Sequence, residues 1–335
     1  MDKLKSIIIF QSIIIIFLAA ILLYPLLYST KTPKQQEKTH GLLSQRIYAG
    51  NLAPQSLLIN NFEPLKSAVD YFLKENNISA SIYIENLRNG ANMGINQEQG
   101  YFPASLNKLP VAVLIMQEIE DGKLSFNGVL PIRDVDRTDS SGILYMTNAT
   151  NLPVKVLLEK MIKESDNTAF NVLLHHADKK ELARLLSYYD IKINVDYPNR
   201  RIEFINHTDL VTAESIYNFF SSLYLSTVLT PNDSEYLLSL LADANFDIKR
   251  IAHLPDNVTV VQKYGAYYLD DTEFFHDCGI MYIGDSRIFY CIMTKQLSVK
   301  QSEEAIGLIV NALHSYIVDT RAKLDIYKKN LKEGT

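Results

Sequence analysis

Three short clusters of reactive side chains follow one another along the chain: Ser105 with Lys108, Ser165 with Asn167, and Lys263 with Gly265. Sixty residues separate the first two serines, and ninety-eight separate Ser165 from Lys263. A serine hydroxyl becomes a useful nucleophile only when a base takes its proton. Lys108 stands three residues beyond Ser105, an offset that puts both side chains on one face of a helix. To act as a base its amine must be neutral. Burial and a nearby second cation both lower a lysine pKa, and Lys263 is the candidate for that cation. A helix beginning at Ser105 also offers backbone N–H groups to a developing oxyanion.

In the second cluster Ser165 is a candidate proton shuttle, Asn167 a candidate hydrogen-bond partner of substrate, and Asp166 the brace of their loop. In the third, Lys263 could attract a substrate carboxylate and polarise Ser165. Gly265 would let a substrate backbone approach the strand edge, and the Ala266 N–H would join that of Ser105 as a second oxyanion donor. Each cluster alone also reads as ordinary structure: an N-cap serine with a surface lysine, a capped turn, a strand ending in a solvated lysine and a turn glycine. Their joint presence and order carry the catalytic reading.

The surrounding patterns predict the elements that must hold these groups. Leu65, Ala68, Val69, Phe72 and Leu73 mark an amphipathic helix, with Pro64 suited to its first turn. Ile78, Ala80, Ile82 and Ile84 alternate as a half-buried strand, Asn89-Gly90 signals a hairpin, and a second short strand is expected over 92–95. Helices are expected over 106–120, 153–163, 167–175, 181–188, 212–223 and 232–242, with Thr212 as an N-cap. Residues 192–206 show little pattern and read as a long loop. Strands return over 258–263, 278–283 and 287–294, and a helix over 301–317 closes the chain. Strands at both ends and helices between them predict an α+β fold. One antiparallel sheet would be covered by helices, with an all-α lobe at about 105–250.

The chain has 335 residues, 47% hydrophobic and 21% charged, with a formal net charge of −5. That balance supports a sizeable core and no nucleic-acid partner. Two cysteines and seven scattered histidines in no ligand spacing predict no metal, and no cofactor is called for. Residues 7–27 carry no charge, and only Gln11 and Ser12 are polar. At ~1.5 Å per residue the run spans ~31 Å, enough to cross a membrane. The expected organisation is a transmembrane anchor at 1–28 (membrane contact through 7–28), a polar linker at 29–58, and a catalytic domain at 59–325. Cys278 and Cys291 fall symmetrically about a predicted hairpin. They read as a bridge formed outside the cytoplasm or as two small buried thiols; directly opposed positions suit bridge geometry poorly, which favours the thiols.

The three clusters read as S-x-x-K, S-D-N and K-x-G, and the chain from about residue 61 to 316 resembles the class A β-lactamase and penicillin-binding serine hydrolase superfamily. Phe102-Pro-Ala-Ser-Leu-Asn-Lys-Leu-Pro110 is similar to its nucleophile segment, and Glu164-Ser-Asp-Asn-Thr-Ala-Phe-Asn171 to its second element. Arg250-Ile-Ala-His-Leu-Pro255, leading to the Lys263 strand, is similar to the approach to its third. The resemblance implies acylation of Ser105 by a β-lactam or a D-alanyl-D-alanine peptide in a site between the two lobes. It also implies a bacterial protein whose catalytic domain is extracytoplasmic, carried on the single-pass anchor read from the apolar run.

Two departures stand out. Tyr264 occupies the position where the family places Thr or Ser, whose hydroxyl meets the substrate carboxylate. The family's deacylating glutamate, followed closely by an asparagine, is matched only loosely, by Glu203 with Asn206. Three functions are therefore expected in order: a β-lactamase, a D-Ala-D-Ala carboxypeptidase or penicillin-binding protein with slow deacylation, and a non-catalytic binding or sensor module of the same fold.

Overall fold

The computed structural model describes residues 41–42, 61–192, 210–269 and 271–333. Helix α1 (Glu63–Glu75) begins with a proline in its first turn and buries Leu65, Val69 and Leu73. The hairpin β1 (Ala80–Asn86) and β2 (Asn92–Ile95) follows, turning through Gly90 at φ +78°. The chain then leaves the sheet for the helical lobe. A 3-10 turn (Ala104–Asn107) leads directly into α2 (Lys108–Glu120). A short β3 (Val129–Pro131) pairs with β4 (Asn151–Pro153), a two-stranded ribbon that the sequence patterns do not announce. Helices α3 (Val154–Lys163), α4 (Asn167–His176) and α5 (Lys179–Tyr188) come next, then α6 (Ala213–Tyr224), α7 (Pro231–Ala242) and a single turn, α8 (Ile248–Ile251). Thr212 caps α6 as expected: its Oγ1 accepts from Ser215 N while Ser215 Oγ accepts from Thr212 N, each at 3.0 Å.

The last segment returns to the sheet as β5 (Thr259–Leu269), β6 (Thr272–Ile283) and β7 (Ser286–Lys295), closed by α9 (Val299–Glu333). The antiparallel order is β2-β1-β7-β6-β5, so the first and last parts of the described chain build one sheet and β5 forms its edge. Side chains alternate between two cores, as period-2 geometry requires. Val261, Cys278, Ile280, Phe289 and Cys291 face the helical lobe. Ile82, Ile84, Phe275, Met281 and Tyr290 face the terminal helices, against Val69, Ile306 and Val310. The α+β layout with an inserted, largely helical lobe is as expected.

Four expectations need correction. Strand β5 does not end at Lys263-Tyr-Gly: it continues to Leu269 because Gly265 keeps its place in the ladder opposite His276. The cysteines are not free thiols. Cys278 lies opposite Cys291 in the register and the two sulfurs are bonded. The inserted lobe is not all-α, since it carries the β3–β4 ribbon. Leu42 is docked on the body, its N–H donating to the Glu235 carboxylate (3.1 Å) and its carbonyl accepting from Tyr282 OH (2.6 Å). The closing helix also runs past both 317 and 325. The expected membrane anchor falls within residues 1–40, outside the described residues; among those described, no helix is long and apolar enough to cross a membrane.

Candidate active site

Helix α2 is buried on nearly every side, from Lys108 through Met116. A charged residue at the start of such a helix is costly unless its surroundings are built for it. Lys108 is 1% exposed, and its Nζ lies 2.8 Å from Ser105 Oγ and 2.5 Å from Asn167 Oδ1. Burial holds its pKa well below the usual lysine range. Nearby Lys263 lowers it further, and Asp166 opposes them only in part. A lowered amine touching the hydroxyl is what a general base for Ser105 requires.

Asn167 is the first residue of α4, and Asp166 caps that helix, accepting from Ala169 N at 2.9 Å with one oxygen and from Leu144 N at 2.8 Å with the other. Asp166 is thus the brace of the loop, as expected, and it ties the loop at 140–144 to the site. Gly142 makes this possible: its φ is +81°, and a Cβ there would sit 2.1 Å from the Asp166 carboxylate. The preceding residue, Ser165, is 1% exposed and has φ +55°. Ala104, just before the nucleophile, has φ +47°. Non-glycine residues in this region cost ~1–3 kcal/mol each and persist only where the surroundings hold them, commonly at functional sites.

Lys263 reaches the same place from the sheet. It is 0% exposed, and its Nζ donates to Ser165 Oγ at 3.1 Å and to the Tyr264 carbonyl at 2.8 Å. Burial brings its pKa down to about 7, against the opposing pull of Asp277. Asp277, also fully buried, accepts from Tyr290 OH at 2.7 Å, and burial pushes its carboxyl up to about 7. Behind the nucleophile, His276 Nε2 pairs with the Phe102 carbonyl at 2.7 Å; burial lowers this imidazole to about 4, so it is neutral and donates.

The structure therefore brings Ser105, Lys108, Ser165, Asn167 and Lys263 into one hydrogen-bonded cluster from three distant segments. Gly265 has a further role that its motif does not announce. A Cβ on it would lie 3.0 Å from Ser105 N and 3.1 Å from Ala104 Cβ. Its missing side chain thus makes room for the nucleophile turn itself, while Tyr264 and Ala266 border the cavity. Glu203 lies outside the described residues.

A cavity of about 470 Å³ opens over Ser105. Its lining includes groups that the motifs alone do not reveal: Thr138, Ser140, Ser141, Phe170, Asn171 and Tyr267. Ser140 Oγ accepts from Asn167 Nδ2 at 2.6 Å and so orients that amide. Asn171 stands one helical turn beyond Asn167, a spacing that marks the shared face in advance. Nothing comparable marks Ser140, whose role depends on how its loop folds back. Among the described residues no group of three or more His, Cys, Asp or Glu side chains could hold a metal.

Comparison with known proteins places this geometry. Over 109 residues the chain is 28% identical to Beta-lactamase VEB-1 of Pseudomonas aeruginosa, a match covering 32% of this chain and 36% of that protein. The chain thus spans about a third of that relative's length. The fold is similar to that of PBP-A, with a TM-score of 0.68 and 18% identity over 77% of this chain and 97% of that one. It is equally similar to the TLA-1 extended-spectrum beta-lactamase, with a TM-score of 0.69 and 17% identity over 77% and 100%. At such identities the structural likeness speaks for the fold alone. The sequence pattern of one family runs from the first turn of α1 into α9, across residues 64–317 and all three clusters. On that match the chain belongs to the beta-lactamase enzyme family.

Proposed function

We propose that the protein is a serine hydrolase of class A β-lactamase type, acylated at Ser105 by β-lactams. The observation that carries this reading is the buried Lys108 amine within 2.8 Å of the Ser105 hydroxyl, its proton affinity lowered by burial and by Lys263. Ser105 Oγ adds to the ring carbonyl carbon as Lys108 Nζ takes its proton. The developing oxyanion is received by the N–H groups of Ser105 and Ala266. When the C–N bond breaks, the nitrogen takes a proton from the Ser165 hydroxyl, which the Lys263 ammonium replenishes. Lys108 is left protonated and Lys263 neutral until they re-equilibrate, so the net transfer is one proton from Ser105 to the leaving nitrogen. Asn167 and Asn171 offer amides to the acyl side chain. Glu203 remains the proposed base for the deacylating water.

A second reading is a D-Ala-D-Ala carboxypeptidase or penicillin-binding protein whose acyl-enzyme persists. It is supported by the likeness to PBP-A, of which a mutant has been solved as an acyl-enzyme with penicillin G. Intact-mass spectrometry of the full-length protein with benzylpenicillin separates the two. A transient adduct with continuing hydrolysis fits the first and a lasting adduct the second, while no adduct at any time overturns both.

The proposal includes a single membrane anchor at 1–28 and an extracytoplasmic body in a bacterium. The apolar run at 7–27 supports this, as does the Cys278–Cys291 bridge, since disulfides persist in oxidising compartments. Recovery of the protein in the membrane fraction, with its body digested by protease added to intact spheroplasts, is the expected result.

A further inference from the structure

The cavity over Ser105 is rich in hydroxyls and amides but has no available cation among the described residues. Lys263 contributes no surface to it. Its Nζ is engaged by Ser165 Oγ and the Tyr264 carbonyl, and the Tyr264 ring covers it at 4.5 Å. Lys108 does line the cavity, but its Nζ is engaged by Ser105 Oγ and Asn167 Oδ1, with the Phe170 ring 5.4 Å away. The sequence from Tyr264 to Ser286, which covers the rest of β5 and all of β6, holds no Lys or Arg and carries Asp270, Asp271, Glu273, Asp277 and Asp285. Tyr264 itself is fixed: its ring packs on Phe246 with centroids 5.0 Å apart and stacks on Phe275 at 6.4 Å. Tyr267 extends the same aromatic wall, against Phe102 at 4.8 Å.

A carboxylate brought here would lose its water and gain no charged partner among the described residues, a costly exchange. An uncharged group would lose little and gain ring contact. On this basis, and resting on the serine chemistry proposed above, we infer that the site selects acyl donors with an uncharged leaving-group side, and that Tyr264 sets this preference. Among the β-lactams, amides and esters that Ser105 would accept, the favoured substrates are then those without a free carboxylate beside the scissile bond.

The test uses two matched pairs on the full-length protein in detergent: benzylpenicillin against its methyl ester, and 3-carboxyphenyl phenylacetate against phenyl phenylacetate. Acylation of Ser105 is followed by intact mass and, for the aryl esters, by phenol release. In each case Ser105 Oγ bonds to the carbonyl carbon, the C–N or C–O bond breaks, and the serine proton goes to the leaving atom. The uncharged member of each pair is expected to acylate as fast as its partner or faster. Tyr264→Thr is expected to shift the ratio toward the carboxylate by about tenfold. A cooperative melting transition of Tyr264→Thr, compared with that of the native protein, guards against a misfolded variant.

A native preference for the carboxylate of about tenfold or more overturns the inference while leaving the β-lactam reading intact. An unchanged ratio in a folded Tyr264→Thr protein also overturns it. An adduct from phenyl phenylacetate without one from benzylpenicillin supports the inference and sinks the β-lactam reading. No adduct from any of the four overturns both.

Discussion

The reacting centre and the wall that receives the substrate are adjacent regions built on different terms. At the centre, Ser105, Lys108, Ser165, Asn167 and Lys263 keep the residue types of a serine acyl-transfer site, and each polar atom of the cluster finds another within hydrogen-bond reach. Along the wall, Tyr264 and Tyr267 present packed rings, and Tyr264 stands at the position where the resemblance leads one to expect Thr or Ser. The centre is held by buried charge and strained backbone, which tolerate little change. The wall is held by ring packing, which can alter recognition without disturbing proton transfer. Chemistry and selectivity can therefore diverge within one cavity.

The comparison can be broken most directly at Ser105. Ser105→Ala should abolish every covalent adduct and lower turnover by roughly 10⁴-fold or more, read by intact mass and hydrolysis rate. Lys108→Ala should slow acylation by about 10²–10⁴-fold, the usual worth of a positioned base, in single-turnover kinetics. Gly265→Ala tests whether the sheet edge sets the nucleophile's position. Its Cβ would press on Ser105 N and Ala104, so a displacement near 1 Å and a loss of about 10²-fold are expected. Its melting should report a destabilisation of about 1–3 kcal/mol.

The pH profile sharpens the contrast further. If Lys263 must be protonated to replenish Ser165, acylation falls as pH rises through its value of about 7. The Asp277 carboxylate holds that value up, so Asp277→Asn should move the alkaline limb to lower pH. A limb that stays in place would disconnect Asp277 from the centre. The smallest effect belongs to the wall. Tyr267→Ala removes one ring contact worth about 0.5–1.5 kcal/mol and should change KM more than kcat.

Much of this arrangement was legible in the chain because it is local. Ser105 and Lys108 meet through helical spacing, and Thr212 and Asp166 cap through neighbours in sequence. The β1–β2 and β6–β7 hairpins follow from alternation about short turns. The residues that escaped notice depend on distant partners. Ser140 matters only because Asn167 lies above it. The 129–131 and 151–153 ribbon forms only because a helical lobe brings two short, patternless segments together. Gly265 looked like a strand terminator because its real neighbour, the Ser105 turn, is 160 residues away in sequence.

By itself the sequence determined which reactive groups exist, their order, and the periodicities that sort helices from strands, since these need only contacts within a turn or a hairpin. Tertiary structure alone decided the lowered proton affinity of Lys108 and Lys263 and the closing of Tyr264 over Lys263. Those outcomes are set by burial and by the field of nearby charges, and neither exists until segments nearly a hundred residues apart share one interior.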